Sequence, residues 1–237
     1  MYDLTDRVVV ITGAPGNLGR ASVAAFVQAG ARLALVHHSV ERLREAFSDL
    51  PEGRNLLVGG VDQTRPQTVN DAVAQVVDAF GRIDVLFNTV GGFAGGRDLV
   101  EEEWQSWEEL WVVNVQTTFH ACRAVAPVMI EGGRGRIINP ASPHGWRAPR
   151  GVAAYGAAKA AVLRLTESLA SELGGRGINV NAVVPGTLDT PANRAAMPDA
   201  DPARWVSPRA VADVAVFLAS DAARAVQAAA IPVTGRG

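Results

Sequence analysis

Short apolar runs alternating with longer amphipathic stretches constrain this chain more than any other property of its 237 residues. The runs fall at 8–12, 33–36, 56–60, 85–88, 136–139, 179–184 and 230–233 and read as buried strands. Helical periodicity marks segments near 18–29, 40–49, 66–80, 101–131, 152–173 and 208–219. A strand apolar on both sides must be covered on both sides. The alternation therefore predicts an α/β chain, with a seven-stranded parallel sheet flanked by helices. Right-handed crossovers leave a doubly wound arrangement, with ligands expected at the carboxyl ends of the strands. No repeat or composition break divides the chain, so residues 1–237 are expected to form one domain. The one long irregular stretch, 185–207, is rich in Pro, Asp and Ala, and is expected to be a lid over the substrate.

Charge narrows the partners. Twenty-two basic against 24 acidic residues leave a net charge of −2. The basic residues form no stripe, so neither nucleic acid nor an anionic membrane is expected as a partner. The single cysteine, Cys122, excludes an internal disulfide, and its apolar helical surroundings predict a packed core thiol. The first seven residues carry no positive region ahead of an apolar stretch, and no uncharged apolar run reaches about 18 residues. A cytoplasmic protein is expected, and no metal cluster stands out.

One lysine stands against 21 arginines, and Lys159 lies four residues after Tyr155, one of only two tyrosines. Four residues are about one helical turn, so the two side chains share a face. A compact ammonium beside a phenol favours phenolate, which brings a group of ordinary pKa near 10 toward acid–base work at neutral pH. Near the other end, Thr12-Gly13-Ala14-Pro15-Gly16-Asn17-Leu18-Gly19 follows the first strand and leads into a helix. Glycines there let a backbone approach a pyrophosphate at a helix N-terminus, although the spacing is not the simplest G-x-G-x-x-G. The second strand ends Val36-His37-His38-Ser39, with no acid to hold a ribose diol. His37, His38, Ser39 and Arg42 could instead donate to a 2′-phosphate. NADP is therefore favoured, with NAD possible.

Taken together, Thr12…Gly19, Asn88-Thr89-Val90-Gly91, Asn114, Ser142, Tyr155-x-x-x-Lys159 and Pro185-Gly186 resemble the short-chain dehydrogenase/reductase family in order and spacing. The resemblance runs along essentially the whole chain and implies a single-domain Rossmann-type doubly wound fold. Three features depart from the family pattern. Asn17 stands in place of a glycine, Thr89-Val90 replaces Asn-Ala, and the tail ends at Thr234-Gly235-Arg236-Gly237. The resemblance implies an oxidoreductase that moves a hydride between a nicotinamide dinucleotide and a carbonyl or alcohol. It makes Tyr155 the acid or base and has Ser142 hold the substrate oxygen. It has Lys159 grip the nicotinamide ribose and Asn114 hold a linking water. For the dinucleotide it implies Gly13, Gly16, Asn17, Leu18 and Gly19 at the turn, and Asp62 and Gln63 at the adenine. Asn88, Val90 and Gly91 would lie beside the ribose, with Pro185, Gly186, Leu188 and Thr190 toward the nicotinamide.

The substrate loops carry Phe93, His144, Trp146 and Met197, with Trp205 as pocket wall or lid anchor. They suggest an apolar or aromatic ketone. The loop 91–96 and the stretch 188–205 also resemble dihydropteridine reductase, which makes quinonoid pterin reduction an alternative. A nucleotide-sensing protein without chemistry is a second. Trp104, Trp107 and Trp111 recur at helical spacing, which predicts core or subunit contact. Glu101, Glu102 and Glu103 read as charges complementing a helix start. Similar enzymes pair the helices containing Asn114 and Tyr155 across a two-fold, so a homodimer or homotetramer is implied.

Overall fold

The computed structural model describes residues 2–51 and 53–235. Met1 of the N-terminal stretch and Arg236 and Gly237 of the tail lie outside the described residues. The expected strands form as β1 (Val8–Thr12), β2 (Arg32–Val36), β3 (Asn55–Val58), β4 (Val85–Asn88), β5 (Gly135–Pro140), β6 (Ile178–Pro185) and β7 (Ala230–Val233). They lie in one sheet, in the order β3-β2-β1-β4-β5-β6-β7, with every neighbouring pair parallel. The chain direction across the sheet reverses between β1 and β4, which opens a crevice at their carboxyl ends.

Alternation along each strand divides the core in two. Val9 and Ile11 of β1, with Leu33 and Leu35 of β2, pack with Phe26 of helix α1 (Asn17–Gln28) and Val211, Ala215 and Leu218 of a later helix. Val8, Val10, Ala34 and Val36 point the other way, toward Val76, Val125 and Leu173. These come from α3 (Pro66–Phe80), α5 (Thr117–Glu131) and α6 (Ala153–Leu173). The remaining helices are α2 (Val40–Phe47), α4 (Trp104–Trp111), α7 (Pro191–Ala196) and α8 (Pro208–Ala219). Both faces of the sheet are thus covered, as continuously apolar strands require.

Two segments differ from expectation. The single helix expected over 101–131 is instead a 3₁₀ turn (Leu99–Glu101), α4, a π-helical turn (Val112–Gln116) and α5. The wider turn is centred on Asn114, which is buried at the crevice, and such bulges absorb an extra residue to re-aim a side chain. The stretch 185–207 is not irregular throughout. It contains α7 and a 3₁₀ turn (Pro202–Arg204), and its neck is closed by a bridge between Leu188 and Val206. Asp189 N–H donates to the Val206 carbonyl at 2.8 Å, and Val206 N–H to that of Thr187 at 2.9 Å. Thr190 caps α7 by accepting from Asn193 N–H at 3.2 Å, with Pro191 at the first helical position.

Candidate active site

The glycine turn is built so that little but backbone can occupy it. Gly13 is left-handed (φ 63°), and a Cβ there would stand 2.9 Å from Val90 Cγ2. At Gly19 a Cβ would be driven to 2.4 Å from the Ala14 carbonyl oxygen. Helix α1 begins after Gly16 with no side-chain cap and no acid in its first turn. Its first N–H groups, Asn17 and Leu18 among them, are therefore left for an external anion. These features fit a dinucleotide pyrophosphate.

Other residues expected at the dinucleotide take different parts. The Asn88 side chain is buried and does not face the crevice. Its amide donates to Asn139 at 2.8 Å and to Cys122 Sγ at 3.6 Å, while Asn139 donates to Thr166 at 3.0 Å. This network ties the carboxyl ends of β4 and β5 to α5 and α6. Only the backbone of Asn88 is left to face a ligand. Burial pushes the Cys122 thiol up to about 12, so it is a packed thiol and not a nucleophile. Asp62 accepts from the Thr64 hydroxyl and N–H, which holds its carboxyl below the ordinary value. Gln63 is buried, and its carbonyl accepts from His120 Nδ1 at 2.8 Å, a residue the sequence did not single out. Thr190 and Leu188 lie at the neck of the 185–207 excursion beside Pro185 and Gly186, at the carboxyl end of β6.

The end of β2 carries a group missed in the sequence. Ser39 caps α2 by accepting from Arg42 N–H at 3.1 Å, and its hydroxyl donates to Glu41 at 2.9 Å. Ser39 is therefore engaged, and a carboxylate sits two residues beyond it, five past the end of β2, where none was counted. His37 and His38 lie against each other with ring centroids 4.0 Å apart and planes tilted by 34°. His37 Nδ1 accepts from Ser39 N–H at 3.0 Å. Burial is the main cause lowering the His37 pKa; a backbone bond to Ser39 opposes it, while His38 and Arg42 add to it.

Ser142, Tyr155 and Lys159 converge because the turn after β5 packs against α6 without intervening side chain. Gly145 lies so close that a Cβ would meet the Lys159 backbone at 2.8 Å. Lys159 is buried, and Nζ donates to the Pro140 carbonyl at 3.1 Å. Gly91 completes the enclosure: its Cβ would be 3.0 Å from Asn114 Oδ1 and 3.5 Å from Lys159 Nζ. The Asn114 amide donates to the carbonyls of Gly92 at 3.0 Å and Leu110 at 2.9 Å, and its oxygen accepts from Gly92 N–H. Its side chain thus clamps the 91–92 backbone.

The electrostatics correct one expectation. Burial raises the Tyr155 phenol above its ordinary value, and a bond with Ser142 pulls partly against this. Burial likewise drags Lys159 down to about 8. Nζ stands 5.8 Å from the Tyr155 ring centroid. An ammonium whose own charge is disfavoured exerts little pull at that distance, so the protein alone does not acidify the phenol.

Around this group stand aromatic side chains. Phe93 meets Tyr155 edge-on at 4.9 Å and His144 does so at 5.9 Å. Phe93 is 65% exposed, and Trp146, just after the 3₁₀ turn that follows Ser142, and Met197, at the end of α7, are also exposed. His144 Nδ1 is buried with no partner among the described residues. Trp205 is half-buried. Trp104, Trp107 and Trp111 do not enter the core. Trp104 is 73% exposed and stacks on Trp107 at 6.5 Å. No group of residues suited to hold a metal ion occurs among the described residues, and none of their helices is long and apolar enough to cross a membrane.

The family described as short chain dehydrogenase matches residues 7–201. The chain is 34% identical to the 3-oxoacyl-(acyl-carrier-protein) reductase FabG of Thermotoga maritima, over 98% of each chain. It is 37% identical to a sorbitol dehydrogenase of Cereibacter sphaeroides, over 78% of this chain and 72% of that one. A crystal structure of NAD+-bound xylitol dehydrogenase superposes with a TM-score of 0.89 at 28% identity, over 98% of each chain.

Proposed function

Because the chain belongs to the short-chain dehydrogenase/reductase family, we propose that it reduces an apolar or aromatic ketone, or oxidises the matching alcohol, with NADP(H) preferred over NAD(H). The observation that carries this reading is the convergence of Ser142, Tyr155 and Lys159 beside a turn that only glycine can form. When bound, the dinucleotide supplies or accepts the hydride. The Ser142 hydroxyl donates to the substrate oxygen and holds it while charge develops. Tyr155 passes its phenolic proton to that oxygen during reduction and takes it back during oxidation. Lys159 donates to the nicotinamide ribose, whose hydroxyls favour its charged form. The restored ammonium then exerts the pull on the phenol that the protein alone lacks. Asn114 keeps the 91–92 backbone against Lys159.

Phe93, Trp146 and Met197 support an apolar substrate, since exposed side chains of this kind gain most by covering a carbon skeleton. His37, His38 and Arg42 support the 2′-phosphate, and Glu41 opposes it, so the preference is modest. The deciding assay follows NADPH and NADH oxidation with aryl ketones, alkyl ketones and quinonoid dihydropterin. Turnover of an aryl ketone, faster with NADPH, is expected. Pterin reduction alone would replace the substrate class, and binding without turnover of any compound would reduce the protein to a nucleotide sensor. His38→Asp is expected to lower the NADPH over NADH preference about tenfold or more, since like charges set face to face cost several kcal/mol.

The exposed Trp104 and Trp111 on α4, with Phe119 on α5, support a homodimer or homotetramer built on that face. Sedimentation of the protein is expected to give at least twice the chain mass, and Trp104→Glu to lower it. The buried Cys122 thiol suits a reducing compartment, in keeping with a cytoplasmic enzyme.

A further inference from the structure

A cavity of about 230 Å³ lies at the end of the sheet opposite the glycine turn, with Arg7, Asp84, Arg134, Arg136 and Asp221 in its lining. Arg7 and Asp84 immediately precede β1 and β4, and Arg136 begins the pairing of β5 with β4. With Arg82 alongside, four guanidinium groups meet two carboxylates, a net of two positive charges.

The carboxylates are already engaged. Asp84 is buried. Its Oδ1 accepts from Arg82 at 2.7 Å and Arg134 at 2.9 Å, and its Oδ2 accepts from Val8 N–H at 2.9 Å. Asp221, largely exposed, accepts from the single Arg7 Nη2 at both of its oxygens, at 3.0 and 3.1 Å. Arg136 is left over. Its side chain is 14% exposed, and its Nη1 donates to the carbonyl of Gly135 at 2.9 Å. Its Nη2 comes only to 3.9 Å from Asp221, and its Nε has no partner among the described residues. Burial chiefly disfavours its charge, and Arg7 and Arg134 add to that against the pull of Asp221. A largely enclosed cation so poorly matched is costly unless an anion joins it.

We propose that this basal cavity is a binding site for a phosphate group, held by Arg136 with Arg7 and Arg134. Planar guanidinium forks match phosphate oxygens. A phosphate dianion balances the two surplus charges, where a single carboxylate balances one. The ligand is free phosphate or a phosphate monoester.

The test measures thermal unfolding of the whole protein at constant ionic strength, with inorganic phosphate, glycerol 3-phosphate, acetate or chloride. A saturable rise with the two phosphates alone is expected. The one with the lower Kd tells the free ion from the ester. Arg136→Gln is expected to weaken this Kd at least tenfold. Arg134→Gln, at a half-exposed position, gives the same readout should the first variant fail to fold. Asp221→Asn should tighten binding, whereas a purely structural ion pair would yield only lower stability. Equal shifts with acetate, or a Kd unmoved in Arg136→Gln and Arg134→Gln, overturn the site. Ketone reduction in these variants is expected to be unchanged, so failure here leaves the catalytic reading standing.

Discussion

Tyr155→Phe is expected to lower turnover about 10²–10⁴-fold, the range a positioned general acid contributes. Affinity for NADPH should stay as it is, because the substitution removes one oxygen and leaves the ring. That ring keeps its edge-on packing with Phe93 and His144, so the melting temperature should move little. The pH dependence carries further information. Burial holds the phenol of the free protein above its ordinary value, and in the complex that turns over the Lys159 ammonium works against this, so the acid form dominates up to the phenol pKa that these two opposed effects leave. Reduction needs that form and should stay level until the pH approaches the phenol pKa, then fall. Oxidation needs the base form and should rise over the same range. Steady-state rates in both directions between pH 6 and about 10.5 check this. Near-normal turnover in the Phe variant would remove Tyr155 from the chemistry. A reduction rate that already falls below neutral pH would show that some other group titrates.

The sheet could be read from the chain because buried strands leave a local signature, and 8–12 and 230–233 are found where the apolar runs lie. Tyr155 and Lys159 were visible through rarity and spacing and Ser142 through the family resemblance, and one helical turn does join the first two. What escaped depends on packing between distant segments. The π-helical turn exists where the Asn114 amide reaches the Gly92 carbonyl, 22 residues away. Glu41 was not weighed with the end of β2, and it is the cap by Ser39 that brings its carboxylate to that hydroxyl. The side chains of Asp62 and Asn88 serve a turn and a buried network, which no spacing foretells. The phenol shift has the opposite sign to that inferred from Tyr-x-x-x-Lys, because spacing reports proximity and says nothing about water exclusion. The basal arginines are drawn from positions 7, 82, 134 and 136, and no periodicity joins them.

Lys159→Met is expected to abolish ketone reduction, with a loss of about 10³-fold or more, and at the same time to stabilise the protein. Carrying the ammonium into its buried place costs about 3 kcal/mol at neutral pH. This follows from about 1.4 kcal/mol for each pH unit between the ordinary lysine value of 10.5 and about 8. The hydrogen bond to Pro140 returns about 1 kcal/mol. A methionine of similar length fills the space without either term, so the variant should gain about 2 kcal/mol at pH 7. The sign with pH is fixed by linkage. Between about 8 and 10.5 the unfolded chain binds the lysine proton and the folded one does not, so wild-type stability rises with pH across that window. Below about 8 both states are protonated and the full cost remains. Methionine titrates nowhere, so the gap between the two proteins should close as pH passes from 8 to 10.5. Denaturant unfolding at several pH values reads this directly. Saturating NADPH should narrow the gap at pH 7 as well, since ribose hydroxyls give the ammonium acceptors that the buried site otherwise denies it. A variant less stable than wild type at pH 7, or a gap that does not depend on pH, would mean that Lys159 is neither desolvated nor held in reserve for a ligand.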